Sequence, residues 1–154
     1  FDLNRGGWVE GGRTIQYAAA LDELPLFARD GALLPYYAGP LRNRLMDLRA
    51  IELHLFCRDQ SVNYDYVVDD QTTRRYLSGA YGIAQITAAI DSERLRVTIT
   101  ETGDSPRDRV TFTPVLYGRP DVRELELTIN GRTVIRPLQA DQREWLCQAW
   151  PVRI

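Results

Sequence analysis

The sequence predicts an all-β protein, built as an antiparallel β-sandwich with part of a second β-domain at its N-terminus. Three observations predict this class: apolar and polar residues alternate with a period of two, turn-forming motifs separate the alternating segments, and helical periodicity is nearly absent. Such alternation is typical of strands that bury one face, because successive side chains point to opposite faces of a sheet. A chain of 154 residues suits one domain, or one domain plus part of another.

Three segments carry the clearest strand pattern. In Ile51–Cys57 the odd positions are apolar, whereas Glu52 and His54 occupy the opposite face. The same alternation runs through 94–101 and again through 124–129. Further strands are expected near 13–17, 24–28, 63–68, 82–90, 109–116 and 144–149.

Turn residues support these strands. Asn130 and Gly131 lie between the strand that ends at Ile129 and the run 132–135. A type I′ hairpin turn needs positive φ at both central residues, which Asn and Gly adopt at the lowest cost, so a hairpin is predicted here. After Pro40, the run 41–48 fits either two helical turns or a connector.

A dense apolar run extends from Leu21 to Pro35 and contains Pro25, Arg29 and Gly31. Its apolar side chains are Leu24, Leu26, Phe27, Leu33 and Leu34. Burying one large apolar side chain gains about 1.5–3 kcal/mol, so we expect another part of the protein to cover this run. Arg29 would then need a carboxylate or carbonyl partner.

Composition excludes several classes of function. The 19 basic and 21 acidic residues are spread along the chain without a basic block, which argues against nucleic-acid binding. All of the basic residues are arginines. No apolar stretch approaches the roughly 20 residues of a membrane-spanning helix, and no signal peptide is visible, so we expect a soluble chain of unknown compartment that binds neither membrane nor nucleic acid.

Candidates for chemistry are few, and the sequence predicts no catalytic residue, cofactor site or metal site. His54 is the only histidine, and its strand position indicates a solvated residue on the face opposite the apolar one. Cys57 falls on the apolar face and is expected to be a buried, unreactive thiol; a disulfide with Cys147 is not expected. Asp69 and Asp70 precede a hydroxyl-rich turn, which favours local hydrogen bonding to the turn over catalysis or metal binding.

Two motifs resemble glycoside hydrolase family 31, which contains α-glucosidases, α-xylosidases and transglycosylases. Trp8–Ile15 followed by Leu21–Pro35 is similar to the segment just after the catalytic barrel in that family, with matches at Leu21, Asp22, Pro25, Leu26, Phe27, Arg29 and Gly31. Tyr66–Tyr76, followed by Gly79-Ala-Tyr81, is similar to the distal C-terminal β-domain. The second motif departs from the family pattern, because Val68 replaces the usual Glu and Gln71 the usual Gly.

The resemblance implies a non-catalytic chain. In the family, two aspartates on a (β/α)₈ barrel carry out a retaining displacement, and no segment here matches those that hold them; the barrel alone needs roughly 250 residues. We therefore expect the end of a proximal C-terminal β-domain at 1–48 and a distal β-sandwich domain at 49–154, both belonging to a longer enzyme. The residues expected to contact the catalytic barrel are Leu24, Pro25, Leu26, Phe27, Arg29 and Gly31.

An alternative hypothesis is a carbohydrate-binding β-sandwich that holds α-glucan on exposed aromatic side chains. The sequence contains 3 Trp and 8 Tyr, whose flat faces suit sugar rings. Aromatic residues also fill the cores and edges of most β-domains, so composition favours a structural role for them.

Overall fold

The computed structural model describes residues 1–37, 50–70, 72–104 and 110–137, together with the backbone of 152–153. These ranges contain a 3₁₀ helix, Arg75–Ser78, and nine strands. The strands are β1 (Ala32–Tyr37), β2 (Ala50–Phe56), β3 (Val62–Val68), β4 (Gly82–Asp91), β5 (Arg94–Gly103), β6 (Thr111–Leu116), β7 (Glu124–Ile129), β8 (Arg132–Pro137) and β9 (Val152–Arg153).

The strands form two sheets that pack face to face, which confirms the predicted β-sandwich. A small sheet has the order β1-β2-β6-β9, and a large sheet has the order β3-β4-β5-β7-β8. The main core lies between them, where Leu53 and Phe112 of the small sheet pack with Ile86 and Leu95 of the large sheet. Tyr66 of β3 meets the Phe112 ring edge-on, with ring centroids 5.6 Å apart.

The alternation read from the sequence is confirmed in β2 and β5. Ile51, Leu53, Leu55 and Cys57 all belong to the main core, as do Leu95, Val97 and Ile99. The predicted type I′ turn is also present, because Asn130 and Gly131 have φ values of 46° and 81°. Period-two patterning therefore identified the central strands correctly, because each buries only one face in this core.

Both sheets are mixed, since each contains one parallel pair among mostly antiparallel neighbours. β2 pairs with β6 in parallel, and β5 pairs with β7 in parallel. After β5 the chain crosses to the small sheet, forms β6 and returns to the large sheet as β7. Parallel neighbours need such a crossover, and hairpin patterns in the sequence carry no signal for it.

The N-terminal third differs from expectation in three places. The strands expected at 13–17 and 24–28 are wrong, since the first range forms no strand and the second only an isolated bridge between Asp2 and Phe27. Pro25 has no N–H to donate, and the partner segment turns away after Leu3, so pairing stops there. β1 was not predicted; as an edge strand of the small sheet, it tolerates Pro35.

Two expected elements, at 41–48 and 144–149, lie outside the described residues, as does Cys147. β1, from the range 1–48, pairs along its whole length with β2. Within the described ranges, helix is limited to one short 3₁₀ turn, and none is long and apolar enough to cross a membrane.

A second core covers the outer face of the small sheet. Phe56 of β2 points away from the main core, yet it is 0% exposed because Phe1 and Ala28 of the N-terminal segment pack on it. The Phe1 ring also contacts Trp8 and Tyr117, with ring centroids 5.4 and 5.7 Å apart. The small sheet is therefore buried on both faces around Phe56.

Gly118 allows this packing. Its φ is +66°, and a Cβ built there would collide with the Trp8 indole nitrogen and lie 2.8 Å from the Phe1 ring. The Trp8 indole N–H donates to the Gly118 carbonyl oxygen at 3.1 Å. A side chain at this position would push the N-terminal segment off the sheet.

We predict that Gly118→Ala destabilises the chain more than Gly131→Ala does. Both glycines have positive φ, which costs an Ala residue about 1–2 kcal/mol. A Cβ at Gly131 meets nothing within 4 Å, whereas one at Gly118 adds an overpacking cost of roughly 1–3 kcal/mol. Urea unfolding of both variants measures the difference, and equal losses would contradict a close contact between Gly118 and the N-terminal segment.

Candidate interaction surface

The segment Leu21–Phe27 displays large apolar side chains on the surface; we call it the apolar segment. Leu24 is 69% exposed and Phe27 is 44% exposed, and Leu21 and Leu26 are exposed as well. The Tyr17 ring meets the Phe27 ring edge-on, with ring centroids 5.6 Å apart, and the remaining surface of these side chains faces outward. In contrast, Leu33 of β1 is buried in the main core, and Leu34 packs against the second core.

Polar contacts fix the backbone of the apolar segment. The Leu3 N–H donates to the Leu26 carbonyl oxygen at 3.0 Å, and the Ala28 N–H donates to the Phe1 carbonyl oxygen at 2.9 Å. The Asn4 side-chain amide donates to the Leu24 carbonyl oxygen at 2.8 Å. These bonds hold the segment along residues 1–4, so the exposure of its leucines is a property of an anchored backbone.

Glu23 completes this anchorage. Its carboxylate accepts hydrogen bonds from the Tyr17 hydroxyl at 2.7 Å, from the Asn4 amide at 3.2 Å and from the Ala20 N–H at 3.2 Å. The hydrogen bond from Tyr17, followed by that from Ala20, lowers the pKa of Glu23. The polar side chain of the segment thus bonds to its own chain, while the apolar ones face outward.

A cleft of about 480 Å³ adjoins the apolar segment. Phe27 of the segment lines it, together with Ile15 and Trp8. Its charged lining residues are Glu10, Arg13, Arg29, Asp30 and Arg58. The cleft therefore combines aromatic surface with three guanidinium groups and two carboxylates.

Asp30 connects the cleft to the loop that follows β2. Its carboxylate oxygens accept from the backbone N–H groups of Arg58 at 2.7 Å and Asp59 at 3.0 Å. Burial acts to raise the pKa of Asp30, but the N–H groups of Arg58, Asp59, Gln60 and Gly31 together hold it below its ordinary value. The ionised form of Asp30 therefore stabilises this loop.

The six residues expected to contact a barrel differ in their exposure and in their backbone contacts. Leu24, Pro25, Leu26, Phe27 and Arg29 are exposed, and no described residue forms an ion pair or hydrogen bond with the Arg29 side chain. Gly31 has φ +81°, and its N–H donates to the Phe56 carbonyl oxygen at 2.7 Å. Gly31 thus turns the chain into β1. The contact of these six residues with a barrel stays a prediction.

His54 is less solvated than its strand position predicted, with a side chain that is 15% exposed. Its Nδ1 lies 2.8 Å from the Tyr117 hydroxyl, and its Nε2 lies 3.0 Å from a Glu52 carboxylate oxygen. The Tyr36 ring lies tilted beside it, with ring centroids 4.4 Å apart and an interplanar angle of 48°. Tyr36 of β1 and Tyr117 after β6 cover this face of β2, and Glu52 of β2 itself contacts the second ring nitrogen.

Asp70 and Cys57 have the structural roles that the sequence predicted for them. The Asp70 carboxylate accepts from the backbone N–H groups of Thr72 and Thr73 and from the Thr73 hydroxyl, so it caps the turn before the 3₁₀ helix. Burial raises the pKa of the Cys57 thiol to about 12, which keeps it protonated and unreactive. Within the described ranges, no three His, Cys, Asp or Glu side chains form a group able to hold a metal ion.

Comparison with known proteins adds one similarity. No family model matches the sequence. The chain is 31% identical over 97 residues to an alpha-xylosidase of Saccharolobus solfataricus. The matched region covers 63% of this chain but only 13% of the alpha-xylosidase. This similarity supports a region related to glycoside hydrolase family 31, and it does not indicate which domain of such an enzyme the chain corresponds to.

We predict that Asp30→Asn destabilises the chain at pH 7 and that the loss disappears in acid. Because the pKa of Asp30 is lower in the folded chain, its contribution to stability is complete above the ordinary value of 3.8 and is lost as the pH falls through the folded-state pKa. Urea unfolding of both proteins between pH 7 and pH 2 measures this convergence.

The control is Asp65→Asn, which changes an exposed carboxylate on β3. It should have little effect at any of these pH values. A loss for Asp30→Asn that stays constant down to pH 2 would contradict the role of the ionised carboxylate.

Proposed function

We propose that this chain is a non-catalytic C-terminal β-sandwich portion of a family 31 glycoside hydrolase and that it supports the catalytic barrel of that enzyme. In this proposal, the longer enzyme carries out retaining hydrolysis or transfer of α-glycosides on a separate (β/α)₈ barrel. The range 1–48 ends its proximal β-domain, and 49–154 form its distal domain. The longer chain, its activity and its α-glucosidase-like substrate all belong to the proposal.

Two kinds of sequence similarity support this proposal. The motifs around Leu21–Pro35 and Tyr66–Tyr81 resemble segments that follow the catalytic barrel in family 31, in the order in which that family has them. The second is the similarity to an alpha-xylosidase, which involves only 13% of that protein's length. A chain that corresponds to so small a share of an enzyme suits an accessory part of it.

The observation that carries the proposal is the exposure of the apolar segment. Its backbone is anchored by hydrogen bonds, and its leucines and Phe27 remain in contact with water. Monomeric proteins rarely expose contiguous apolar surface unless it binds something. Each large side chain gains about 1.5–3 kcal/mol when it is fully buried, which is enough for a few residues to hold two domains together.

The alternative, a module that binds α-glucan, stays a prediction. Phe27, Tyr36 and Tyr76 are exposed, but they belong to the apolar segment, to β1 and to the 3₁₀ helix. The Tyr36 ring also packs at a tilt against the His54 ring. Trp8 and Phe27 line the same cleft, but the Arg58 guanidinium lies over the Trp8 ring, 5.5 Å from its centroid. The apolar segment therefore better supports the role of a partner for a barrel.

We predict that a double variant, Leu21→Asp and Leu24→Asp, leaves the 154-residue chain as stable as before but destabilises the intact polypeptide that its gene encodes. In the chain alone Leu21 is fully exposed and Leu24 is 69% exposed, so little packing is lost, whereas Phe27 packs against Tyr17 and is left unchanged. In the intact enzyme, each substitution would place a charge in the buried contact and cost at least the roughly 1.5–3 kcal/mol of lost burial. Thermal unfolding of both forms measures the effect.

The matched control is Leu77→Asp, because Leu77 is 73% exposed on the 3₁₀ helix, outside the apolar segment. It should leave both forms unchanged. Two results would contradict the proposal: a gene that encodes no barrel with this chain, or an intact enzyme whose unfolding is insensitive to the double variant.

A further inference from the structure

The charges around the cleft beside the apolar segment are unevenly neutralised. The Arg58 guanidinium lies 2.7 Å from an Asp59 carboxylate oxygen and 3.7 Å from a Glu10 carboxylate oxygen, and it stacks over the Trp8 ring. The Asp30 carboxylate is occupied by backbone N–H groups. Three of the five charged lining residues therefore have their partners within the chain.

Arg13 and Arg29 are the two that remain. Both are exposed, both line the cleft, and neither guanidinium group forms an ion pair or hydrogen bond with another described residue. The guanidinium group offers a planar fork of donors that fits a carboxylate through two parallel hydrogen bonds. The cleft thus has unused donors for an anionic group, beside the apolar surface formed by Ile15 and Phe27.

We propose that this cleft receives a carboxylate side chain, Asp or Glu, from an apolar surface of the catalytic barrel. This inference rests on the proposed function, because the apolar segment and the cleft form one continuous surface through Phe27. The charge complementarity of two unpaired arginines identifies the partner group as an acid. The adjacent leucines indicate a protein surface, since a small free anion would leave them exposed to water.

Such a contact would fix the relative orientation of this chain and the barrel. Apolar burial is non-directional, so Leu24 and Leu26 would hold two domains together without fixing how they are rotated. A bidentate pair between a guanidinium and a carboxylate is directional. If the barrel were rotated, its carboxylate would be buried without a guanidinium partner, which is costly. Arg13 and Arg29 would thus be positioning residues of the enzyme, outside its reacting centre.

The absence of lysine from this chain provides a direct test. Arg29→Lys would place the chain's one lysine amine at the cleft. In the intact polypeptide that the gene encodes, a water-soluble carbodiimide then joins that amine to any carboxylate in ion-pair contact, forming an amide. Mass spectrometry of the digested product identifies both partners. Arg13→Lys provides a second, independent position on the cleft, and Arg132→Lys on β8 is the matched control.

We expect the Arg29→Lys and Arg13→Lys variants to give cross-links to the same acidic peptide of the barrel, in a yield several-fold above that from Arg132→Lys. A cross-link from residue 29 to an acid within residues 1–154, or none above the control, would overturn the inference. Arg29→Glu should also lower the unfolding temperature of the intact enzyme, and an Arg at the identified acid should restore it.

A free-anion site is separated from this inference by titration. Sodium phosphate is titrated into the 154-residue chain and into its Arg29→Gln variant. Phosphate binding that depends on Arg29, together with no cross-link to the barrel, would overturn the inference. If Leu21→Asp with Leu24→Asp destabilises the intact enzyme while the lysine variants give no cross-link, the inference fails and the proposed function stands.

Discussion

The burial of the small sheet on both faces is the constraint that places the rest of the N-terminal segment. Its inner face packs on the large sheet, and its outer face carries Phe56, which must be covered as well. Phe1 and Ala28 cover it from opposite ends of the segment. Because both are buried, the chain between them has to leave the sheet and return, which brings Leu3 and Leu26 side by side. Gly118 permits the closest approach in this arrangement.

The exposed leucines follow from that geometry. Once Ala28 is fixed on the sheet and Leu26 is hydrogen-bonded to Leu3, the residues just before them lie on the outer side of the segment. The Asn4 side-chain amide donates a hydrogen bond to the Glu23 carboxylate, which ties the segment to the N-terminal residues. Leu24 is 69% exposed and lies outside the core of this chain, so its side chain is available to another polypeptide. Arg13 and Arg29 line the cleft that Phe27 of the same segment also lines.

The sequence predicted the parts of the fold that depend on local patterns. Alternation located β2, β5 and β7, and Asn130-Gly131 located a hairpin, because each signal lies within a few residues of the element that it specifies. It did not predict β1, because an edge strand tolerates Pro35 and needs pairing on one side only. The parallel pairs were also outside its reach, since they depend on the order in which the chain crosses between sheets.

The candidate surface was predictable only in part. The apolar density of Leu21–Pro35 indicated burial, yet it did not reveal that Leu33 enters this chain's own core while Leu24 stays outside. That division depends on the position of Gly31 and on the hydrogen bonds of residues 1–4. His54 was expected to be solvated because the cover supplied by Tyr117 comes from 63 residues away in the sequence. Arg13 gave no local signal, because only tertiary structure brings it to the cleft.

Hydroxyl-radical footprinting of the apolar segment would show whether a barrel covers it, because the method reports the solvent exposure of individual side chains. The rates of oxidation of Leu24, Leu26 and Phe27 are compared between the 154-residue chain and the intact polypeptide that the gene encodes, with Tyr76 on the 3₁₀ helix as the reference. We expect all three side chains to be oxidised in the chain alone and protected in the intact polypeptide. Equal oxidation in the two forms would rule out the proposed contact with the barrel.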